Sequence, residues 1–497
     1  MAGRLRQAGL LLGPLAALIV HASLPAEYAG AGGELLPLSP AARGAAAVGA
    51  WMAVWWLSEA IPVYVTALLP LAAFPLLGVS SIEQTALSYG HKLIYLFLGG
   101  FIVALALERW GVHRRLALAV LGMVGTRPGR IVAAFMAVSA GLSMWVTNTA
   151  TTIMLLPVAL SVLRLATAKA GAAAESGQSQ LGHCLLLGIA YAASIGGLGT
   201  IVGTAPNLFL VSFIESRMGV EIGFLDWMLV GVPVVLLFLP CCWWLLVRRI
   251  FPLPRTSIAG MQAAIAELAA AQQPMSSGER RTLLVFLLTA LAWITRPLLA
   301  DVSLGGWRPL AGLSDAGIAI IAAIGLFILP AGGRPRRALM DWETAVRLPW
   351  GLLVLFGGGL TLAAALDDSG FSRYLGTQAA ALGSLPPILI VLAVTSMVIF
   401  LTEITSNTAT TATLVPLLYA VALGLQLDPL LLIVPAGLAA SCAFMLPVAT
   451  PPNAIVFGSG QVGIAAMSRA GLRLNLVGIV LITAMAYAVA IPMLGRL

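Results

Sequence analysis

Apolar runs of membrane-spanning length dominate the chain. Stretches near 9–25, 44–60, 61–79, 93–108, 183–214, 227–247, 281–299, 315–331, 349–366, 429–466 and 474–495 each read as a crossing, because a helix needs roughly 20 apolar residues to span the hydrocarbon core. Two further apolar pairs, 131–167 and 386–424, fit poorly as single crossings, and each carries a polar cluster at its middle. The first cluster is Ser143–Pro157, Ser-Met-Trp-Val-Thr-Asn-Thr-Ala-Thr-Thr-Ile-Met-Leu-Leu-Pro. The second is Thr402–Pro416, Thr-Glu-Ile-Thr-Ser-Asn-Thr-Ala-Thr-Thr-Ala-Thr-Leu-Val-Pro. Each ends on a proline placed alike after its asparagine, Pro157 after Asn148 and Pro416 after Asn407. Both pairs read as re-entrant hairpins whose tips stop inside the membrane, where irregular backbone is tolerated only against protein or a cavity. The pattern predicts an all-α polytopic membrane protein with about eleven transmembrane helices plus two re-entrant hairpins.

Composition agrees. Of 497 residues, 60% are hydrophobic and 9% charged, against roughly 25% charged in soluble domains. The net charge of +8 comes without a basic, aromatic-laced patch, so it points to basic loops at a membrane and not to nucleic acid. With the N-terminus in the cytoplasm, alternate counting leaves Arg43, Lys92, Arg217, Arg296, Arg308, Arg373 and Arg496 outside and the other 20 of the 27 basic residues inside, as the positive-inside rule requires. Arg4 and Arg6 precede the first apolar run without a clear cleavage site, so that run reads as a membrane helix. This topology places the protein in the cell (inner) membrane with its C-terminus outside. Five crossings separate the hairpins. Hairpin 131–167 therefore enters from the cytoplasm and hairpin 386–424 from outside, an inverted repeat with tips meeting near the midplane. Cys184, Cys241, Cys242 and Cys442 lie in apolar surroundings without metal-ligand spacing and read as small buried hydrophobes.

A second feature is also duplicated. Gly196–Asn207 (Gly-Gly-Leu-Gly-Thr-Ile-Val-Gly-Thr-Ala-Pro-Asn) and Pro447–Asn453 (Pro-Val-Ala-Thr-Pro-Pro-Asn) both lie inside long apolar spans and share Thr-x-Pro-Asn. Proline and glycine interrupt helices, so each span should break and expose free carbonyls on one half-helix and free N–H groups on the other. Such ends suit a cation and an anionic substrate together: oxygens for a hard cation, N–H and O–H donors at positive helix ends for a carboxylate. The tips offer Asn148, Thr149, Asn407 and Thr408; the breaks offer Thr204 and Thr450. Neither motif contains Lys or Arg, so a dianion bound there needs cations arriving with it. One titratable group, Glu403, favours Na⁺ over H⁺ as that cation; it either orients the tip, ligates directly, or faces outside water. The competing reading of any single Ser-Asn-Thr is close helix packing; duplication, matching breaks and opposite topology weigh against it.

These residues resemble the divalent anion/sodium symporter family, the di- and tricarboxylate carriers, over nearly the whole chain. The resemblance implies a homodimeric elevator, each protomer having a scaffold (1–108 and 281–366) and a moving transport domain (109–250 with hairpin 131–167, and 367–497 with hairpin 386–424), joined by a cytoplasmic linker at 251–280, amphipathic at 258–271. By motif match, Ser143, Thr147, Asn148 and the Gly203 backbone would hold one Na⁺; Thr402, Thr405, Asn407 and the Ala449 backbone a second. Substrate carboxylates would meet Asn148, Thr149, Asn407, Thr408, Thr204 and Pro451, beside Thr450. The chain departs from the pattern at Thr147, where the family has Ser, and at Ala205, which matches Pro451 of the second copy.

The sequence thus predicts a Na⁺-coupled importer of C4-type dicarboxylates such as succinate, malate or fumarate. Alternatives on the same fold are a sodium-independent dicarboxylate exchanger or a carrier for citrate or sulfate. An intramembrane enzyme has no motif to support it, and a passive channel is disfavoured by tips entering from both faces.

Overall fold

The computed structural model describes residues 2–30, 34–168, 175–256, 272–303, 306–332, 337–379 and 385–495. The amphipathic stretch 258–271 lies outside the described residues, and the chain is helical from Glu175 to Gly197. Among the described residues the regular structure is helical except for a small hairpin, Glu27–Ala29 with Leu35–Pro37, and an isolated bridge between Pro330 and Ala338.

Among the described residues six helices are long and apolar enough to cross a membrane: Ile82–Arg109, Gln180–Gly197, Phe224–Ile250, Ser277–Ala300, Trp350–Asp368 and Ile464–Leu494. Three expected spans differ. Run 315–331 forms a helix of only 14 residues, Asp315–Ile328. Residues 61–79 form no continuous crossing but two short pieces, Val63–Thr66 and Leu69–Leu76; Pro62, Pro70 and Pro75 interrupt the ladder that one long helix would need. Run 429–466 ends its helix at Gly458, and the last helix begins at Ile464, ten residues earlier than 474. Arg469 and Arg473 dilute the hydropathy there without breaking the helix.

The two polar clusters sit at tight turns. Helices Pro128–Ser143 and Asn148–Ala168 flank residues 144–147; helices Pro387–Thr402 and Asn407–Gly424 flank residues 403–406. The first arms have 16 residues each, about 24 Å at 1.5 Å per residue, too short to cross a core of about 30 Å. Proline opens both, where its missing N–H leaves no helical bond unmade.

The two expected breaks are present. Helix Glu175–Gly197 stops before Ala205–Met218, and Leu430–Ala439 stops before Pro451–Gly458. The residues preceding the second halves are extended and nearly superimposable, Thr204 at φ −146°, ψ 147° and Thr450 at φ −141°, ψ 149°. Packing repeats with the same symmetry. Both arms of the first hairpin lie on Glu175–Gly197, and both arms of the second on Leu430–Ala439. Helix Asn148–Ala168 also touches Pro451–Gly458, while Asn407–Gly424 touches Ala205–Met218. Each hairpin is gripped by the first half of its own broken span and the second half of the other.

All nine ion pairs described join residues on one side of the sequence-derived topology. Lys92 with Glu215 and Glu221, Arg217 with Asp367 and Asp368, Arg296 with Asp315 and Arg308 with Asp301 are pairs it expects outside. Arg6 with Glu59, Arg109 with Asp341 and Arg115 with Glu279 are pairs it expects inside. One cysteine departs from expectation: Cys241 is exposed, whereas Cys184, Cys242 and Cys442 are buried.

Hairpin and broken span pack with backbone close to backbone. A Cβ at Gly196 would stand 2.3 Å from the carbonyl oxygen of Ala140, and neither backbone can yield cheaply. Gly196→Val should lower stability by about 1–3 kcal/mol, read as a lower midpoint in a thermal melt of the purified protein. A wild-type midpoint would show that these helices do not meet.

Candidate functional site

Each tip carries a hydroxyl–amide pair five residues apart. Ser143 Oγ donates to Asn148 Oδ1 at 2.5 Å, and Thr402 Oγ1 donates to Asn407 Oδ1 at 2.8 Å. Further along each second arm a threonine bonds back one turn, Thr152 to the Asn148 carbonyl and Thr411 to the Asn407 carbonyl. These hydroxyls satisfy the helix. By contrast, Thr149 and Thr408 make no side-chain hydrogen bond among the described residues, so their hydroxyls remain open to a ligand at the N-terminal turn of each arm. Thr147 accepts from Ala150 N at 3.3 Å and caps the first arm.

The breaks meet the tips. A Cβ built on Gly197 would lie 2.7 Å from Asn148 Oδ1 and 3.1 Å from the Gly203 carbonyl oxygen. The missing side chain thus lets an amide oxygen and a backbone carbonyl converge on the Gly197 backbone, with the Ser143 hydroxyl bonded to that same amide. Neutral oxygens brought together in this way suit a hard cation; Asn148 and the Gly203 carbonyl meet here, and Ser143 joins them through its hydrogen bond to Asn148.

In the second half, Thr402 Oγ1 also reaches the Ala440 carbonyl at 2.9 Å, tying tip to break. Thr405 turns elsewhere, bonding the Leu401 carbonyl and Thr410. The resemblance offers Thr405 as a ligand; the geometry gives its hydroxyl a role inside the hairpin. No contact described here joins Ala449 to Thr402 or Asn407. The breaks approach each other where Thr204 Oγ1 lies 3.4 Å from Ser441 Oγ. Thr450 caps its helix, accepting from Asn453 N at 3.3 Å, and Pro451 is exposed at that helix's first position. Ser406, at the second tip, lines a cavity of about 420 Å³ together with Arg6, Glu59 and Tyr64.

A profile described as the sodium:sulfate symporter transmembrane region matches residues 31–494. The chain belongs to the sodium:sulfate symporter family. Among its relatives, the sodium-dependent dicarboxylate transporter SdcS of Staphylococcus saprophyticus is 42% identical over 454 residues, covering 90% of this chain and 86% of the relative. SdcS of Staphylococcus aureus (strain USA300) is 39% identical over 451 residues, with the same coverage of 90% and 86%. Among solved structures, the Alcanivorax borkumensis YdaH transporter aligns with a TM-score of 0.59 at 16% identity, over 97% of this chain and 98% of that one. At that identity what is shared is an all-α polytopic membrane fold.

In this symporter-family chain, the residues that build the breaks went without a role in the sequence. Asn207 Nδ2 donates to the carbonyls of Gly197, Leu198 and Thr200 at 2.8–3.3 Å. Asn453 Nδ2 donates to those of Ala443 and Leu446 at 3.2 and 3.1 Å. Both reach back ten and seven residues. Each asparagine is the last residue of a Thr-x-Pro-Asn motif, so repetition was the signal that could have singled it out. Asn475, Tyr191 and Ser441 carried no such signal.

Two substitutions separate cradle from scaffold. Gly197→Ala should fold, since the facing Asn148 amide can rotate away, but its methyl crowds the point where these oxygens converge. Purified protein should then show a clearly smaller rise in melting midpoint when choline is replaced by Na⁺. Asn207→Ala removes a buried donor from three carbonyls and should cost about 1–3 kcal/mol, lowering the midpoint in either salt. If Gly197→Ala responds to Na⁺ as the wild type does, these oxygens hold no cation.

Proposed function

We propose that this chain is a Na⁺-coupled carrier of C4-type dicarboxylates. The observation that carries the reading is the duplicated tip-and-break joint, rich in neutral oxygens and helix N-termini and without a Lys or Arg in either motif. An anion held there has donors but no fixed positive partner, and an unpaired buried charge is costly. Bound sodium supplies the missing positive charge. Ser143, Asn148 and the Gly203 carbonyl would hold the first ion, with Thr147 beside them. Thr402 and Asn407 would hold the second, with Thr405 and Ala449 as its less well supported neighbours.

Substrate choice follows from the duplication. Thr149 and Thr408 present open hydroxyls at N-terminal turns on two separate hairpins, and Thr204, Thr450 and Pro451 flank them from the breaks. Two donor sets suit a ligand with two separated carboxylates better than one compact anion. That favours a dicarboxylate over sulfate, although the family description names sulfate; the SdcS relatives are named for dicarboxylates. The SdcS relatives are likewise named sodium-dependent, which favours symport over sodium-independent exchange.

On this reading the hairpins are re-entrant from opposite faces, the N-terminus is cytoplasmic, and residues 109–250 and 367–497 move as a unit against a scaffold of 1–108 and 281–366. The same-side ion pairs support the topology, and the mutual grip of hairpins and broken spans supports one moving body. Dimerisation through the scaffold completes the elevator.

Uptake into proteoliposomes tests the proposal. Succinate accumulation should require an inward Na⁺ gradient, disappear in choline, and be competed by malate and fumarate far better than by sulfate. Uptake unchanged in choline would replace symport with exchange. Asn148→Ala and Asn407→Ala should each abolish uptake while leaving the amount of purified protein near wild type, since each removes a ligand and leaves the helix packing in place. Normal uptake by either variant would remove that residue from the site.

A further inference from the structure

The two halves fasten tip to break differently. In the first half the joint is neutral: the Thr200 hydroxyl donates to the Met144 carbonyl at the hairpin tip, and Thr200 Oγ1 accepts from Gly203 N. In the second half the residue matching Met144 is Glu403, and the joint is a carboxylate. Glu403 is 3% exposed. Its Oε1 accepts from Phe444 N at 2.7 Å, Met445 N at 2.9 Å and Asn475 Nδ2 at 2.7 Å. Its Oε2 accepts from Met445 N at 3.0 Å and Leu446 N at 3.1 Å.

Every one of these partners is a donor. The backbone N–H groups of Phe444, Met445 and Leu446 reach both oxygens and can only donate, which is the geometry of an ionised carboxylate held by backbone N–H groups. None of the ion pairs described includes Glu403. The second joint therefore carries a negative charge with hydrogen bonds but no basic side chain, directly beside Thr402, while the first joint carries none.

We propose that Glu403 is a positioning residue that fixes Phe444–Leu446 against the second tip and makes the second cation site the stronger of the two, the one filled first. The inference rests on the Na⁺-coupled reading above and deepens it. Coulomb's law at an effective dielectric near 20 makes a unit charge about 10 Å from a cation worth roughly a tenfold change in affinity, and Glu403 is the chain neighbour of Thr402. The asymmetry also orders the cycle. A cation seated beside Glu403 neutralises a charge already built in, and only further cations offset the substrate's.

The test is the Na⁺ dependence of the melting midpoint of the purified full-length chain, without substrate, at constant ionic strength in choline. Glu403→Gln should raise the half-maximal Na⁺ concentration at least about tenfold. Glu403→Asp, which keeps the charge on a shorter side chain, should lower the melting midpoint at zero Na⁺ yet hold the half-maximal Na⁺ within about threefold of wild type. In a Gly197→Ala background, where the first site is impaired, Glu403→Gln should move the remaining response to higher Na⁺ by the same factor of at least about ten. Should Glu403→Gln fail to fold, Glu403→Met takes its place, copying the residue at the first tip, with the same expected shift. An unchanged half-maximal Na⁺ in the neutral variant, or an equal shift in Glu403→Asp, overturns the proposal and leaves Glu403 a purely structural bolt. A wild type that melts identically in Na⁺ and choline overturns this proposal together with the Na⁺-coupled reading, and is distinguishable from the first result because no variant is then needed.

Discussion

A backbone group that loses its helical partner inside a membrane has no water to turn to, and leaving it unpaired costs several kcal/mol. That constraint governs the two broken spans. The loop Ala443–Leu446 shows how completely it is met. Its N–H groups at 444, 445 and 446 go to Glu403. Its carbonyls at 443 and 446 go to Asn453, that of 444 to Tyr191 at 2.8 Å, and that of 445 to Ser468 at 3.1 Å. The partners come from the second tip, from both broken spans and from the last helix, so the break exists only when the whole assembly is folded around it. The first break meets the same demand with fewer parts: Asn207, Trp227 and Thr200 together bond the groups that the missing turns leave over.

A site assembled this way has its oxygens aimed by necessity. Carbonyls not claimed by the asparagines, such as that of Gly203, are left at the surface of the break facing the tip amide. The glycine at 197 is what keeps this contact open, because any side chain there would occupy the space between them. The same logic limits which charges can enter. Dipoles and hydroxyls stabilise either sign modestly, and a dianion without a counter-ion would be left uncompensated. Cation and anion then favour each other's binding without either touching a basic side chain, which is coupling in the thermodynamic sense.

Much of this was legible in the sequence because it was written twice. The hairpins expected at 131–167 and 386–424 are the helix pairs within 128–168 and 387–424, and both breaks fall where Gly and Pro interrupt an apolar run. Repetition turned weak local signals into a strong one. What stayed hidden was either unrepeated or long-range. Residues 61–79 read as one apolar run, and hydropathy does not register that prolines divide its helix into two pieces. Glu403 was visible as the odd residue of its motif, but its partners stand 41 to 43 and 72 residues away, beyond any periodicity. Asn475 is one amide in an otherwise apolar helix, and nothing local tells a packing amide from one that holds a carboxylate.

The distribution of strong and weak contacts bears on motion. Joints among hairpins and breaks are buried hydrogen bonds whose loss would strand polar groups in a low dielectric. Contacts from these elements to residues 1–108 and 281–366 are of another kind. Trp145 at the first tip stacks near Trp293 at 6.3 Å and meets Phe286 edge-on at 5.4 Å. Lys92 pairs with Glu215 and Glu221 with its own side chain half exposed. Aromatic faces can slide on one another and exposed ion pairs contribute little, so both can be exchanged for lipid or water without stranding a buried donor. A few polar links also cross: Phe224 N to Asp315 at 2.8 Å, Trp110 Nε1 to the Leu339 carbonyl at 2.8 Å, Arg109 to Asp341 and Thr344, and the Ser39 hydroxyl to the Ser369 carbonyl at 3.1 Å; the first lies at the start of a helix, where a backbone N–H has no intrahelical partner to lose. A body whose internal bonds are expensive to break and whose external contacts are cheaper would move as one piece, which is the mechanical condition that the proposed elevator requires.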